Sequence, residues 1–372
     1  VNDIAELKEY VRVHAKGQGI KDYQTILDAI GSDNGAGPGA GPGAGPGAGP
    51  GAGPGSWVGE WCRAAERAQA RGRDLAAARR YGLAAFPFID GPARRDAHDR
   101  CTKAVRRWAA RTHGIEPVEV KLDDGLVRCW AAGLAPGRPL VLVMGGIVTL
   151  KEQWTPVLPG LRRLGLAGVV TEMPSVGENT IRYAPDSWRM VSGLLDALAD
   201  RTDVTRTHLI ALSFSGHMAL RCAVEDRRIA SVITVGAPIG PFFTDRAWQA
   251  RLPRITVDTL AHLTGTQARD VTDGLGAWAL GPEQLSSLDA DVWYVANRRD
   301  DIIPPGDARL LARHVRGLSL LEHDDVHGSP NHIRETQLWT LASLLRSTGN
   351  RDIHAAIFRF LMRLEQTRRR FS

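Results

Sequence analysis

The chain has 372 residues, with 47 Lys and Arg against 41 Asp and Glu for a net charge of +6, and only four cysteines. Cys62, Cys101, Cys129 and Cys222 stand far apart with no CxxC pair, which excludes a zinc ribbon or a disulfide framework. There is no HExxH and no other convincing ligand spacing, so neither a metal nor a cofactor is expected. No apolar stretch reaches membrane-spanning length and no signal peptide opens the chain. The positive charge is dispersed without a recognition motif, Arg368-Arg369-Arg370 included. These features exclude nucleic acid and membrane as partners and point to a cytoplasmic protein.

Residues 1–34 place apolar side chains at Ile4, Leu7, Tyr10 and Val11, then at Ile20, Tyr23, Ile26, Leu27 and Ile30. These are helical spacings on two short segments broken by Gly17-Gln18-Gly19. Too short to fold alone, the stretch reads as a docking, leader or carrier-derived peptide. Residues 35–55 are five Gly-Ala-Gly-Pro repeats and one further glycine. Nothing in them can be buried in a core, so they form a flexible linker of engineered appearance. Composition changes across it: residues 1–34 hold three lysines and one arginine, residues 56–372 three lysines and forty arginines. A linker of this length spans about 25 Å and keeps residues 1–30 at an effective concentration on the order of millimolar. That segment is therefore expected to dock on the remainder of the chain.

Residues 56–115 are rich in alanine and arginine, with apolar spacing at Trp57, Trp61, Ala64, Ala65 and Ala68, then Leu75, Ala78, Tyr81 and Leu83. They predict three helices forming a cap over an active-site mouth. Val118–Ala131, split by Asp123-Asp124-Gly125, predicts an antiparallel hairpin. Strand and helix then alternate from 139 to 237, which implies a parallel sheet covered on both faces. Residues 116–240 thus form the first part of an α/β core. Residues 241–287 interrupt it as a helical lid. Residues 288–372 complete it, with Gln337–Leu345 and Ile353–Leu364 as closing helices.

The most informative stretch is Leu209–His217, where an apolar run feeds Ser213 and a helix-forming run follows. Ala211 and Ser215, two residues to either side, are small, as a sharp strand-to-helix turn around a nucleophile demands. The usual glycines are absent from both places. Downstream, residues 291–297 predict a strand whose end carries Asp300 four residues before Pro304, with Asp301 as the rival acid. Leu318–Glu322 predicts the next strand, followed by a loop holding His327-Gly328. His327 is preferred as base over His323 and His332, because the glycine allows a tight loop. His14, His98, His113, His208, His262, His314 and His354 read as surface or structural. The order Ser213, Asp300, His327 is that of an α/β-hydrolase triad, in which the imidazole takes the serine proton and the carboxylate fixes its tautomer. An oxyanion hole is expected from the N–H of Phe214 and from Gly146 or Ile147, after the strand Pro139–Met144.

Residues 145–152 (Gly-Gly-Ile-Val-Thr-Leu-Lys-Glu), Pro174–Glu178, Ser213–Gly216 and Gly236-Ala237-Pro238 resemble one α/β-hydrolase group. It contains 2,6-dihydroxypseudooxynicotine hydrolase, esterases of the fermentation–respiration-switch type and fungal pigment-pathway hydrolases. The resemblance covers roughly residues 57–365. It implies a Ser213–Asp300–His327 hydrolase acting on a ketone, ester or thioester held between the sheet and helical caps. Glu152, with Gly145, is a candidate substrate contact, the alternative for Glu152 being an exposed helix-start glutamate. Ser175 stands where this group commonly has glycine. The expectation is cleavage of an ester, thioester or C–C(acyl) bond through an acyl-enzyme, in a biosynthetic setting. An acyltransferase or cyclase acting on a carrier- or peptide-bound substrate, and a non-catalytic binding protein, are the alternatives. A homodimer is left open.

Overall fold

The computed structural model describes residues 3–33 and 52–349. The chain opens with α1 (Ile4–Gly17) and α2 (Tyr23–Asp28), then α3 (Trp57–Ala70), α4 (Asp74–Ala84) and α5 (Pro92–Arg111). Strands β1 (Ile115–Leu122), β2 (Gly125–Ala132) and β3 (Pro139–Met144) follow. Next come α6 (Leu158–Arg163), β4 (Ala167–Thr171), α7 (Arg189–Leu198), β5 (Asp203–Ala211), α8 (Phe214–Glu225) and β6 (Ile229–Val235). Short helices α9 (Pro241–Thr244) and α10 (Arg246–Gln249), then α11 (Arg254–Thr264) and α12 (Pro282–Ser286), fill the expected lid. The chain closes with β7 (Asp291–Asn297), α13 (Pro305–His314), β8 (Leu318–His323) and α14 (Ile333–Ser347). Gln337–Leu345 falls within α14; the second closing helix, Ile353–Leu364, lies outside the described residues.

The eight strands form one sheet in the order β1-β2-β4-β3-β5-β6-β7-β8, antiparallel at β1-β2 and β2-β4 and parallel from β4 to β8. This is the α/β-hydrolase fold. Both faces are covered, and β3 shows why its sequence is continuously apolar. Leu140, Leu142 and Met144 enter the core beneath α7, α8 and the lid, while Val141 and Val143 enter the core against α3–α5 and α14. All parallel strands deliver their carboxyl ends to the same edge, where an α/β sheet places its ligand site. Strand β5 begins at Asp203, ahead of the apolar run that starts at Leu209. Its polar start, Asp203-Val204-Thr205-Arg206-Thr207, hides it from an apolar-run criterion, and its register with β3 shifts between Pro139 and Val141.

Residues 3–33 lie against the cap. Leu7, Val11, Ile20, Ile26, Leu27 and Ile30 share an apolar cluster with Trp57, Trp61, Phe86 and Ile255. Six buried aliphatic side chains amount to on the order of ten kcal/mol of transfer free energy, before the entropy of ordering the segment is subtracted. Arg94 of α5 donates to Asp33 at 2.5 Å in a buried ion pair, and Arg80 of α4 pairs with Asp22. Ser32 and Ser56 form a β-bridge, with Gly31 N–H on Gly55 O and Trp57 N–H on Ser32 O, both at 2.9 Å, so residues 31–32 and 55–57 lie side by side. Residues 52–55, assigned to the linker from composition, are part of the fold. Gly55 N–H reaches Glu60 at 2.8 Å, Ser56 caps α3, and the carbonyls of Ala52 and Gly53 occupy the space where a side chain at Gly59 would go.

Candidate active site

Ser213 sits between β5 and α8 at φ 57°, ψ −127°, a left-handed conformation that costs a non-glycine residue of order 1–3 kcal/mol. The turn is over-determined from both sides. Leu212 N–H binds Met144 O and Ser213 N–H binds Val235 O, at 3.0 and 2.9 Å. A side chain at Gly216 would strike Thr234 and Ala237, so β6 and α8 pack as closely as glycine allows. The serine at position 215 in place of glycine is explained by its hydroxyl, which donates to Met144 O at 3.0 Å and Leu212 O at 2.9 Å. Ala211 is buried at the end of its strand. Ser175 likewise adopts φ 62°, the region that makes glycine common there; its hydroxyl bonds Ile181 O and receives Tyr183 N–H, both at 3.2 Å.

Three strand ends bring Ser213, Asp300 and His327 together. Ser213 Oγ lies 3.0 Å from His327 Nε2, and His327 Nδ1 lies 3.0 Å from both oxygens of Asp300. With its proton on Nδ1 toward the carboxylate, the ring leaves Nε2 to accept from the serine. Asp300 is itself held by the N–H groups of Ile302 and Ile303 at 3.0 and 2.8 Å. Burial opposes charge on His327, but the charge and hydrogen bond of Asp300, with Asp301 adding to them, raise its pKa above the ordinary histidine value. Asp301 points elsewhere and accepts the Tyr10 hydroxyl of α1. His323 bonds Thr336 and stacks on His332, which bonds Asp325 at 2.9 Å. His323 and His332 cluster with Glu335 within metal-ligating distance of one another, but His327 stands outside that group.

Phe214 opens α8, so its N–H is one of the helix-start donors without an intrahelical partner. Across from it, a Cβ at Gly146 would lie 3.2 Å from Ser213 Cβ and 3.4 Å from Leu212 O, so the loop approaches the serine closely where it has no side chain. Ile147 follows, buried. Gly145 turns the other way: a Cβ there would sit 2.5 Å from Trp154 Nε1 and 2.6 Å from Thr149 Cβ, so its side faces packing rather than Ser213. Gly236 belongs to the motif Gly236-Ala237-Pro238. It has φ 59°, and a Cβ there would come within 2.9 Å of His327 Cε1 and 3.1 Å of Nδ1. It leaves the space that the imidazole occupies.

Glu152 is neither exposed nor at liberty to contact a ligand with both oxygens. It is buried, with Oε1 3.1 Å from Lys151 Nζ and 3.4 Å from Trp130 Nε1. Lys151, buried as well, also meets Glu172 at 2.9 Å and Glu178 at 2.7 Å. Burial would strip the charge from Lys151, but the three carboxylates push its pKa well above the usual lysine value. Glu172 is raised by burial and by Glu152 against the opposing pull of Lys151, while in Glu178 the lysine overcomes burial and lowers the value. A side chain at Gly177 (φ 57°) would collide with the Glu172 carboxylate, so this glycine serves the network. Asp307, also unforeseen, is buried and accepts Gly240 N–H at 2.8 Å and the more distant Phe242 N–H at the start of the lid. Burial raises it to about 7 despite those bonds.

A cavity of about 330 Å³ lies between the cap, the 175–178 loop and α11, walled by Phe86, Phe88, His98, Val148, Val176 and Leu263. Ile147 and Val148 of the 145–150 loop line it too, as do Arg95, Asp99, Ser175, Glu178 and His262. No helix among the described residues is long and apolar enough to cross a membrane.

Comparison with known proteins agrees with this architecture. A family model described as FrsA-like, esterase FrsA-like, matches residues 51–317. Esterase FrsA of Vibrio cholerae is 28% identical over 191 residues, covering 48% of this chain and 46% of that protein. The chain thus spans about half the length of the curated relatives it matches. Among solved structures, AbyA5 wild type superposes with a TM-score of 0.89 at 46% identity over 98% of this chain and 99% of its own. That span is too long to leave out α1 and α2. The 2,6-dihydroxy-pseudo-oxynicotine hydrolase superposes with a TM-score of 0.62 at 19% identity, over 77% of this chain and 88% of its own, a likeness of fold.

Proposed function

The chain belongs to the FrsA-like esterase family, and from that premise we propose that it is a serine hydrolase working through an acyl-enzyme on Ser213. The hydrogen-bonded series Ser213 Oγ, His327 Nε2, His327 Nδ1, Asp300 carries this reading. Ser213 Oγ attacks the carbonyl carbon of an ester, thioester or acyl ketone while His327 Nε2 takes its proton. The oxyanion that forms is stabilised by the N–H groups of Phe214 and of Gly146 or Ile147. His327 then returns the proton to the departing oxygen, sulfur or carbon, and Asp300 stabilises the imidazolium in between. Water, activated by the same imidazole, releases the acid and restores Ser213.

A second reading has an observation in its favour. Helix α1 lies beside the His327 loop, with Val13 against Gly328 and Tyr10 on Asp301, and a helix in that place would limit the approach of water to an acyl-enzyme. An alcohol, amine or thiol acceptor on a small, carrier-bound or peptide-bound substrate would then compete with water, as in a biosynthetic acyl transfer. The test for both is an alkyl fluorophosphonate followed by peptide mapping. Stoichiometric modification of Ser213, lost in Ser213→Ala, is expected; an unmodified Ser213 in folded protein would overturn the proposal. Product analysis with and without an added acceptor separates hydrolysis from transfer.

A further inference from the structure

Helix α1 lies outside the span matched by the family model, and yet its side chains reach three elements around the candidate triad. Glu6, Tyr10 and Val13 fall at i, i+4 and i+7, along one stripe of the helix. Glu6 accepts the N–H groups of Arg254 and Ile255 at 3.1 and 2.8 Å, donors at the start of α11 that its own N-cap, Pro253, has no side-chain acceptor to bind. Tyr10 donates its hydroxyl to Asp301, next to the candidate acid. Val13 lies against Gly328, next to the candidate base, with its Cγ2 3.0 Å from where a Cβ there would be. His14, four residues after Tyr10, has the Gln153 side chain and His327 as neighbours. The adjoining stripe of Leu7, Val11 and Ala15 is buried in the cap cluster and seats the helix. Helix α1 therefore ties the cap to the lid and to the two loops that carry the acid and the base.

Two carboxylates, Asp300 and Asp301, are consecutive in the acid loop. Asp300 meets His327 Nδ1 with both oxygens at 3.0 Å and is braced by the N–H groups of Ile302 and Ile303. Burial opposes charge on the imidazole, and against it Asp301 as well as Asp300 raises its pKa, so the second carboxylate is within electrostatic reach of the ring. The group that engages Asp301 is the Tyr10 hydroxyl. We infer that Tyr10 is a positioning residue of this site: by engaging Asp301 it leaves His327 Nδ1 to Asp300 alone, and so keeps Nε2 turned to Ser213. The inference rests on the serine-hydrolase reading above. Burial and the bond to Asp301 push the Tyr10 phenol well above its ordinary pKa, so it stays a proton donor at neutral pH. Tyr10 packs on both the cap cluster and the cluster beneath the lid, which fixes the place of its hydroxyl. An Asp301 released from it would compete for the Nδ1 proton and draw the ring off Ser213, and rate falls steeply with such misplacement.

The experiment is steady-state hydrolysis of p-nitrophenyl acetate by the full chain. Tyr10→Phe should lower kcat about five- to tenfold and leave KM within about twofold. Tyr10→Phe combined with Asp301→Asn should return to within about twofold of Asp301→Asn alone, because a neutral amide competes poorly for the imidazole proton; independent losses would multiply instead. The rate of fluorophosphonate labelling, which needs the same imidazole, should fall and recover in parallel. Lys16→Ala, on the exposed side of the same helix, should behave as the wild type. Thermal unfolding of each variant separates a displaced imidazole from lost folding. Asp301→Glu, whose longer side chain carries the carboxylate out of register with the phenol, should also lower kcat severalfold and keeps the test open if Tyr10→Phe fails to fold. If Ser213 reacts with the fluorophosphonate but kcat of folded Tyr10→Phe, or in its place Asp301→Glu, moves less than about twofold, the inference is overturned while the hydrolase reading stands. A loss carried by KM, or a double variant that does not recover, overturns it equally. An inert Ser213 in the folded wild type overturns both.

Discussion

Two buried charge networks lie near the carboxyl edge of the sheet, and they are built for opposite ends. In the first, Asp300 and His327 form a single chain that ends on Ser213, a residue held in a left-handed conformation with its hydroxyl turned to the histidine. In the second, Lys151 is ringed by Glu152, Glu172 and Glu178, and the backbone N–H groups of Lys151 and Glu178 close on Glu172 at 3.1 and 2.7 Å. The first network ends on a hydroxyl, that of Ser213. The second turns its charges on one another and ties residues 151–152 to the 172–178 loop. Buried charge alone therefore does not distinguish the two; the strained serine at the end of the bonded series does.

The largest expected effect breaks the first network without touching the second. Asp300→Asn leaves the imidazole without its charged partner and should lower kcat by about 10³–10⁴, whereas Asp301→Asn should cost no more than a few-fold; steady-state ester hydrolysis of the two variants decides. Lys151→Met reverses the pattern. It strands the buried Glu152 and Glu172 and the half-buried Glu178, which should cost about 3–5 kcal/mol of stability, read as a shifted denaturant midpoint with Ser213 still reactive in whatever protein remains folded. Gly236→Ala probes the space beside the imidazole and should lower kcat roughly 10–100-fold through displacement of His327, given how strongly rate depends on position. The smallest effect is a displacement of pH. Because Asp300 and Asp301 raise His327 above its ordinary value, the neutral base forms only at higher pH, so the acid limb of kcat/KM should have its midpoint above pH 6.5. In Asp300→Asn the residual activity should show that limb shifted to lower pH, while Lys151→Met should leave it in place.

Local features of the chain specified the turn at Ser213, the strand ending at Asn297, and the order serine, acid, histidine. Each depends on a few consecutive residues: small neighbours at 211 and 215, an apolar run closed by Asp300 and proline, a glycine after the histidine. Period and alternation likewise placed the hairpin, the cap helices and the parallel strands, because burial on two faces leaves a continuous apolar signature. The polar beginning of β5 escaped that reading for the same reason, having no apolar signature to see.

Only the tertiary structure decided how distant side chains share space. The partnership of Lys151 with Glu172 and Glu178, the room Gly236 leaves for His327, and the pairing of Ser32 with Ser56 all join residues whose spacing carries no local pattern. The same is true of residues 4–17. Their helical period announces an apolar stripe, and it cannot say that the adjoining face would be Tyr10, Val13 and His14 beside the candidate triad. Periodicity follows from backbone geometry within one segment, whereas the face a helix presents to a site depends on every other segment that competes for the same surface.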